Sequence, residues 1–190
     1  MKPVDQQEGE RITKPHLEFF VSMMKESIAD WKKVSSLFPT SGPTTRANFI
    51  SDRMRDKIRQ QYLGDKATRI YDKGRLFFLR IENLALRFKK LKNSRPSNIS
   101  TRQAIKLEAQ QLELGEQLQP LTLANVGYSP DKAWNKFKYE ISCIKNKRIV
   151  WRIRIDSDVA TGRVSVIEIP ESDILQPTTT KRVFKKVRKQ

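Results

Sequence analysis

The chain has 190 residues, of which 38 are Lys or Arg and 21 are Asp or Glu, giving a formal net charge of +17 and a pI of about 10.2. No segment is apolar enough for a membrane span, and no apolar signal-peptide core follows Met1. Cys143 is the only cysteine and His16 the only histidine, which excludes an intrachain disulfide and a four-ligand Cys/His zinc site. These features predict a cytoplasmic protein with an anionic partner, because so high a pI is typical of nucleic-acid-binding domains.

The first third of the chain predicts two helices after a polar start. Residues 1–14 lack an apolar period and are expected to form a disordered N-terminus. From Leu17 to Val34, apolar residues recur at three- and four-residue spacing, which predicts an amphipathic helix of about six turns. A linker rich in Pro, Gly and hydroxyl residues follows at 39–43, and a second, basic helix ends at Gly64.

Strand patterns follow the second helix. Residues 67–71 and 75–88 alternate as strands around a predicted turn at 72–74. The apolar phase changes between Ile81 and Leu84. Either the first half of this strand is buried on both faces, or a bulge re-aims it; the sequence leaves both alternatives open.

A third helix precedes a run of strands. Ser100 and Gln103 have the spacing of a capping box, which predicts a helix from there to about Leu118, before Pro120. The alternating strands that follow favour an antiparallel meander. They are predicted at residues 121–128, 134–144, 148–156 and 163–169.

The strand at 148–156 has apolar residues at odd positions and charged residues at most even positions. The strand before it alternates in the same way, so both apolar faces reach one core if the connecting loop has odd length. A three-residue loop at 145–147 satisfies this condition. It predicts a core Trp151 with exposed Arg152 and Arg154, and the cross-strand pairs Glu140/Arg152, Lys138/Arg154, Lys136/Asp156, Ile141/Trp151 and Tyr139/Ile153.

The predicted architecture is α+β, a single domain over residues 15–170. It comprises an antiparallel sheet of about five or six strands with two or three helices on one face. The opposite face is expected to be basic. Residues 171–190 are expected to be a disordered basic C-terminal tail.

The positive charge is concentrated in three segments. Residues 75–95 hold seven basic residues and one acidic one, residues 132–154 hold eight and one, and residues 181–190 hold six and none. Such clusters bind phosphates with little sequence specificity, although a charged strand face is also the ordinary solvated side of a sheet. The candidate nucleic-acid-binding residues are Arg87, Lys89, Lys90, Lys136, Lys138, Arg148, Arg152, Arg154, Lys181, Arg182, Lys185, Lys186 and Arg188.

Three aromatic residues lie among these cations. Phe88, Trp134 and Phe184 could stack on the bases of a single strand. Residues such as Phe88 and Trp134 are more often core residues, and of the three only Phe184, in the predicted tail, is expected to be exposed.

No catalytic constellation is visible. His16 has no second base with which to form a triad, and it is expected to have a surface or capping role. Asp156, Asp158 and Glu168 could meet at the end of the last hairpin as a metal site, but acidic residues in a turn are ordinary turn chemistry. We therefore assign no catalytic residue, no metal ligand and no cofactor.

Several short stretches between residues 67 and 169 form a recognisable set. They are Arg87-Phe-Lys-Lys-Leu91, Gln103, Gln110, Gln111, Gly127-Tyr128-Ser-Pro130 and Trp151. In these stretches the chain resembles a group of small bacterial proteins of mobile elements and toxin–antitoxin-type operons, encoded beside helix-turn-helix regulators fused to ImmA/IrrE-type zinc peptidases. The resemblance implies a protein partner and a defence or toxin-like setting, without implying catalytic residues.

Three functions follow from the sequence. The first is non-enzymatic binding of DNA or RNA through phosphate contacts. The second is a toxin-like component whose basic surface meets an acidic protein such as an antitoxin. The third is a metal-dependent nuclease.

Overall fold

The computed structural model describes residues 4–73, 76–97, 101–110, 121–157 and 164–167. The predicted tail at 171–190 lies outside these residues, as do the predicted end of the third helix and two candidate metal ligands, Asp158 and Glu168.

Four α-helices are described. The helix predicted from the apolar period between Leu17 and Val34 is present as α2, but its 18 residues form about five turns rather than the predicted six, because 3₁₀ turns flank it at both ends. Helix α3 begins earlier than its apolar stripe because Pro43 fits the first helical position. Helix α4 is capped by Thr101, whose Oγ1 accepts a hydrogen bond from the amide of Ala104. The helices are α1 (Gln6–Thr13), α2 (Leu17–Val34), α3 (Pro43–Tyr62) and α4 (Arg102–Glu108), and two 3₁₀ turns are formed by Lys14–His16 and Ser35–Leu37.

The N-terminus is ordered from Val4, so the predicted disorder of residues 1–14 is wrong for that part. Val4 is 4% exposed, and its amide donates to Thr122 Oγ1 at 2.9 Å. Its carbonyl accepts a hydrogen bond from Trp151 Nε1 at 2.8 Å. The segment has too few apolar residues for a period, but these contacts and the burial of Ile12 hold it to the sheet.

The strands form one mixed sheet, which confirms the α+β class. Neighbours along the sheet follow the order β1-β2-β3-β5-β6-β7-β8, and β4 pairs with β3. All pairs are antiparallel except β3 with β5, whose connection contains α4. The strands are β1 (Thr68–Lys73), β2 (Leu76–Ile81), β3 (Leu84–Lys92), β4 (Arg95–Pro96), β5 (Thr122–Pro130), β6 (Phe137–Lys145), β7 (Arg148–Ser157) and β8 (Val164–Ile167).

The phase change after Ile81 is a turn rather than a bulge, and the alternative of burial on both faces is confirmed for β2, since Phe77 and Leu79 lie in the main core and Phe78 lies on the other face. Glu82 has a positive φ of 50°, and Ile81 pairs with Leu84 across the turn. Residues 76–88 are therefore two strands of a hairpin rather than one continuous strand. A tight turn resets which residues face the core, so the apolar phase changes without a bulge.

The predicted register of β6 and β7 is wrong by two residues. The connecting turn has two residues, Asn146 and Lys147, both with positive φ, and a β-bulge lies between Cys143 and Ile144. The bulge adds the residue that the shorter turn removes, so the predicted core face of Trp151 is retained. The observed pairs include Cys143/Trp151, Ile141/Ile153, Tyr139/Ile155, Ser142/Arg152 and Glu140/Arg154.

The core lies mainly between the sheet and helices α1 to α3. Trp151 is 2% exposed, which confirms its predicted place in this core. On the opposite face, Leu107 of α4 packs with Phe78, Ala85 and Leu123. One end of that face is therefore covered rather than open. None of the described helices is long and apolar enough to cross a membrane.

Candidate nucleic-acid interface

The β3–β4 hairpin lies over the sheet face opposite α2 and α3. Gly127 permits this close approach, because a Cβ there would lie 2.0 Å from the carbonyl oxygen of Lys89 and 2.6 Å from Leu91 Cγ. Ser129 Oγ also donates to the carbonyl of Leu91 at 3.2 Å. The face that the sequence predicts to be an open basic surface is thus closed in part by the protein itself.

Arg152 is engaged beneath this hairpin, which corrects its predicted exposure. Ser94 Oγ donates to Glu140 Oε2 at 2.9 Å, and Arg152 Nη1 donates to Ser94 Oγ at 3.0 Å. Arg152 is half-buried, and its Nε has no hydrogen-bond partner. Its guanidinium holds the hairpin to the sheet and is poorly placed to meet a large ligand.

Lys136, Lys138 and Arg154 remain exposed. Arg154 lies opposite the buried Glu140, so the predicted like-charge pair of Lys138 with Arg154 is wrong. The N-terminal end of β6 and the C-terminal end of β7 lie at the same edge of the sheet, because the two strands are antiparallel. These three cations therefore belong to one end of the molecule.

Arg148 lies elsewhere. It is exposed at the β6–β7 turn, at the opposite end of β7 from Arg154, and pairs with Lys145. Because Val150 is the extra residue of the bulge, the regular alternation between Arg148 and Arg152 is interrupted. The predicted grouping of Arg148 with Arg152 and Arg154 on one strand face is wrong.

Lys89 and Lys90 occupy the C-terminal half of β3 and point to opposite faces. Burial lowers the pKa of Lys89 to about 8, and the positive charges of Arg87 and Arg55 act in the same direction. Burial, Arg46 and Lys92 likewise lower the pKa of Lys90. Arg87 is half-buried and already interacts with another residue of the protein. A nearby anion would stabilise the charged form of both lysines.

A group of cations and aromatic rings on the helix side forms the clearest candidate site. Arg46 Cζ lies 3.6 Å from the centroid of the Trp134 ring, and Lys90 Nζ lies 5.1 Å from it. Lys32 Nζ lies 5.8 Å from the centroid of Phe137. We call the set Lys32, Arg46, Lys90, Tyr128, Trp134 and Phe137 the Trp134 cluster.

Two ring contacts hold Trp134 in the cluster. The centroid of Trp134 lies 6.3 Å from that of Tyr128 and 5.8 Å from that of Phe137, in edge-to-face geometry. Trp134 has a positive φ of 60°, in the loop before β6 rather than in the strand predicted there. Burial raises the pKa of Tyr128, so its hydroxyl stays neutral beside Arg46.

The Trp134 cluster brings together residues that the sequence predicted separately and two residues that the sequence did not predict. Lys90 and Trp134 were predicted; Lys32 and Arg46 were not, because each lies on a helix whose other cations look alike in sequence. Only the fold shows that Arg46 meets an aromatic ring. Phe88 is 4% exposed in the core and cannot stack on a ligand, while Phe184 and the tail cations Lys181, Arg182, Lys185, Lys186 and Arg188 lie outside the described residues.

Ion pairs between described side chains involve helices α1 to α3, β1 and the turn between β2 and β3. Helix α3 pairs through Arg53 with Asp30 and through Lys57 with Glu26 on α2. Arg59 of α3 pairs with Asp56 and with Asp72. By contrast, no described carboxylate forms an ion pair with any of Lys32, Arg46, Lys89, Lys90, Lys136, Lys138 or Arg154.

The side chains that could act as a catalytic base or nucleophile are partly or fully buried in the fold. His16 Nδ1 lies 2.9 Å from Tyr62 Oη, and burial lowers the pKa of this histidine. Burial raises the pKa of the Cys143 thiol to about 12, so it is not a thiolate nucleophile near neutral pH. Within the described residues, no three His, Cys, Asp or Glu side chains come together as a metal site.

Comparison with known proteins gives no relative from which a function could be carried over. No family model matches the chain, and neither a curated protein nor a solved structure is significantly similar to it.

Proposed function

We propose that the protein binds nucleic acid without catalysis, through contacts from Arg and Lys to phosphates, and with low sequence specificity. The supporting observation is the segregation of charge. Arg53, Lys57 and Arg59 of α3 pair with carboxylates, whereas no described carboxylate forms an ion pair with Lys89, Lys90, Lys136, Lys138 or Arg154 of β3, β6, β7 and the loop before β6. A local positive field of this kind attracts a polyanion.

The contacts that we assign to phosphates come from Lys89, Lys90, Lys136, Lys138 and Arg154. Arg152 serves instead to hold the β3–β4 hairpin, since it donates to Ser94. The tail cations at 181–190 are proposed to extend the same interaction as a basic arm. The expected setting is the cytoplasm, where DNA and RNA are both available partners.

The test is fluorescence anisotropy with labelled duplex DNA and RNA across a salt series. A triple variant, Lys136→Gln/Lys138→Gln/Arg154→Gln, removes three exposed cations from the proposed interface. Its matched control, Lys14→Gln/Lys25→Gln/Lys66→Gln, removes the same charge from exposed positions elsewhere. The slope of log affinity against log salt is expected to become shallower by up to about 0.9 for each lost duplex phosphate contact in the triple variant.

Two outcomes would contradict the proposal. If both triple variants weaken binding equally, the positive charge acts only as a diffuse field and the interface is wrongly placed. If the unmodified protein binds neither DNA nor RNA at low salt, the partner is an acidic protein, as the resemblance to toxin–antitoxin-type proteins implies. Co-purification with an acidic protein encoded beside it would then test that second function.

A further inference from the structure

The guanidinium of Arg46 lies over an aromatic ring. Its Cζ lies 3.6 Å from the centroid of Trp134, which is a close cation–π contact. A guanidinium in such a contact keeps N–H groups with which it can donate to an oxyanion. Arg46 Nε is buried and has no hydrogen-bond partner. The contact therefore positions a cation whose donors are incompletely used.

Arg46 differs in this respect from the other cations of α3. Arg53, Lys57 and Arg59 each donate to a carboxylate at 3.1 Å or less. Arg55 lies 3.8 Å from Asp52. Lys90, which shares the Trp134 ring with Arg46, also has no described carboxylate partner. Two cations thus converge on one indole without a counter-charge, and Coulombic repulsion by Arg46 contributes to the lowered pKa of Lys90.

An exposed aromatic stack lies beside the first turns of α3. Phe38 is 47% exposed and stacks on Trp31, with 6.3 Å between ring centroids and 14° between ring planes. Trp31 in turn contacts Phe49 at 5.5 Å. Phe49 lies three residues after Arg46 and hence on the same side of α3. The ring of Phe38 adjoins this stack with nearly half of its surface open to solvent.

We propose that the Trp134 cluster and Phe38 together bind single-stranded nucleic acid, with phosphates on Arg46 and Lys90 and a base on the ring of Phe38. This inference rests on the proposed nucleic-acid binding and names its substrate class. A duplex offers phosphates but keeps its base faces stacked, so it cannot use Phe38. A single strand offers both, and base–aromatic stacking is tolerant of sequence.

The experiment compares a labelled oligo(dT) strand of about fifteen nucleotides with a duplex of the same length. Phe38→Ala is expected to weaken binding of the single strand about 5- to 100-fold and to leave duplex binding unchanged, because stacking is lost and no charge is removed. Leu37→Ala is the matched control, since Leu37 is also exposed, at 74%, and has no ring. Circular dichroism melts check that both variants are folded.

A charge variant tests the phosphate contacts. Arg46→Gln/Lys90→Gln is expected to reduce the salt slope for oligo(dT) by about 0.7 for each contact, whereas Lys14→Gln/Lys25→Gln is expected to reduce it less. The Arg46→Lys variant keeps the charge but loses the planar guanidinium donor. Its affinity for oligo(dT) is therefore expected to lie between that of the unmodified protein and that of Arg46→Gln/Lys90→Gln.

The outcomes separate this inference from the proposed function. If Phe38→Ala and Leu37→Ala bind oligo(dT) equally, or if Arg46→Gln/Lys90→Gln matches its control, the inference is wrong. Loss of binding in the Lys136, Lys138 and Arg154 variant would in that case leave the proposed function standing. If the unmodified protein binds neither oligo(dT) nor duplex, both fail.

Discussion

Gly127 is the residue on which the close approach of β3 to β5 depends. A Cβ added at this position would lie 2.0 Å from the carbonyl oxygen of Lys89, whereas an ordinary carbon–oxygen contact is about 3.3 Å. The obstructing atom is backbone, so a side-chain rotation cannot relieve the clash. Gly127→Ala must therefore push β3 and β5 apart by about 1 Å where Lys89 pairs with Gly127.

The magnitude follows from two effects. Overpacking of a close-packed site costs about 1–3 kcal/mol, and weakened backbone hydrogen bonds between β3 and β5 add about 1 kcal/mol each. We expect the free energy of unfolding to fall by about 3–5 kcal/mol. For a chain of this size the melting temperature should then fall by roughly 6 to 20 °C.

Urea unfolding followed by circular dichroism measures this change. Gly42→Ser is the control, because no heavy atom lies within 4 Å of its added Cβ and a serine suits the N-cap of α3. Its free energy of unfolding should change by less than about 0.5 kcal/mol. Equal stability of Gly127→Ala and the unmodified protein would refute the close approach of Lys89 and Leu91 to Gly127, and with it the placement of the β3–β4 hairpin.

Further expectations concern the core and one buried lysine. Trp151→Ala should lower the free energy of unfolding by about 3–5 kcal/mol in urea titrations, because the ring is 2% exposed, whereas Arg154→Gln, at an exposed position, should change it by less than about 0.5 kcal/mol. Comparable losses would show that the face assignment of β7 is wrong. The pKa of Lys89 is lowered from 10.5 to about 8, so the folded state disfavours its charged form, and its contribution to stability should rise as pH increases from about 8 to 10.5. The difference between the unfolding curves of Lys89→Met and the unmodified protein should show this rise, and a pH-independent difference would contradict it.

Helices and strands that show a regular local pattern of apolar residues were predictable from the sequence. Helix α2 has a regular apolar period, and the helix forms over the residues that carry this period. The core side of β6 and β7 was predictable too, because alternation fixes which residues share a face. Their register was not, since the two-residue turn and the bulge offset each other and leave the alternation around Trp151 unchanged.

Elements whose order depends on distant partners could not be found in this way. Helix α1 is mostly polar, and its attachment depends on Val4 hydrogen-bonding to Thr122 and Trp151. The short β3–β4 hairpin likewise looks like a polar loop until Ser94 meets Glu140 and Arg152. In both cases a few tertiary hydrogen bonds replace the apolar period that sequence reasoning requires.

The candidate site was predictable in composition but not in arrangement. Counting charges in the sequence identifies the segments of β3 and β6 as basic, and these segments include Lys90 of the Trp134 cluster and the exposed Lys138. It treats every arginine alike, so it cannot separate Arg53, which is paired with Asp30, from Arg46, which lies over the ring of Trp134. Pairing depends on which helix faces lie together, and that is settled only when α2 and α3 pack.

The division of charge between the two ends of α3 bears on how a polyanion would be held. Arg53 and Lys57 already interact with Asp30 and Glu26, so a phosphate there would have to displace a carboxylate that is part of the fold. Arg46 and Lys90 have no such competitor, and their partial burial beside Trp134 has already removed part of their hydration. An anion at that end gains attraction without breaking an existing pair, and it relieves the repulsion between the two cations. For this reason the Trp134 cluster, rather than the more densely charged C-terminal half of α3, is where affinity for phosphate should be greatest.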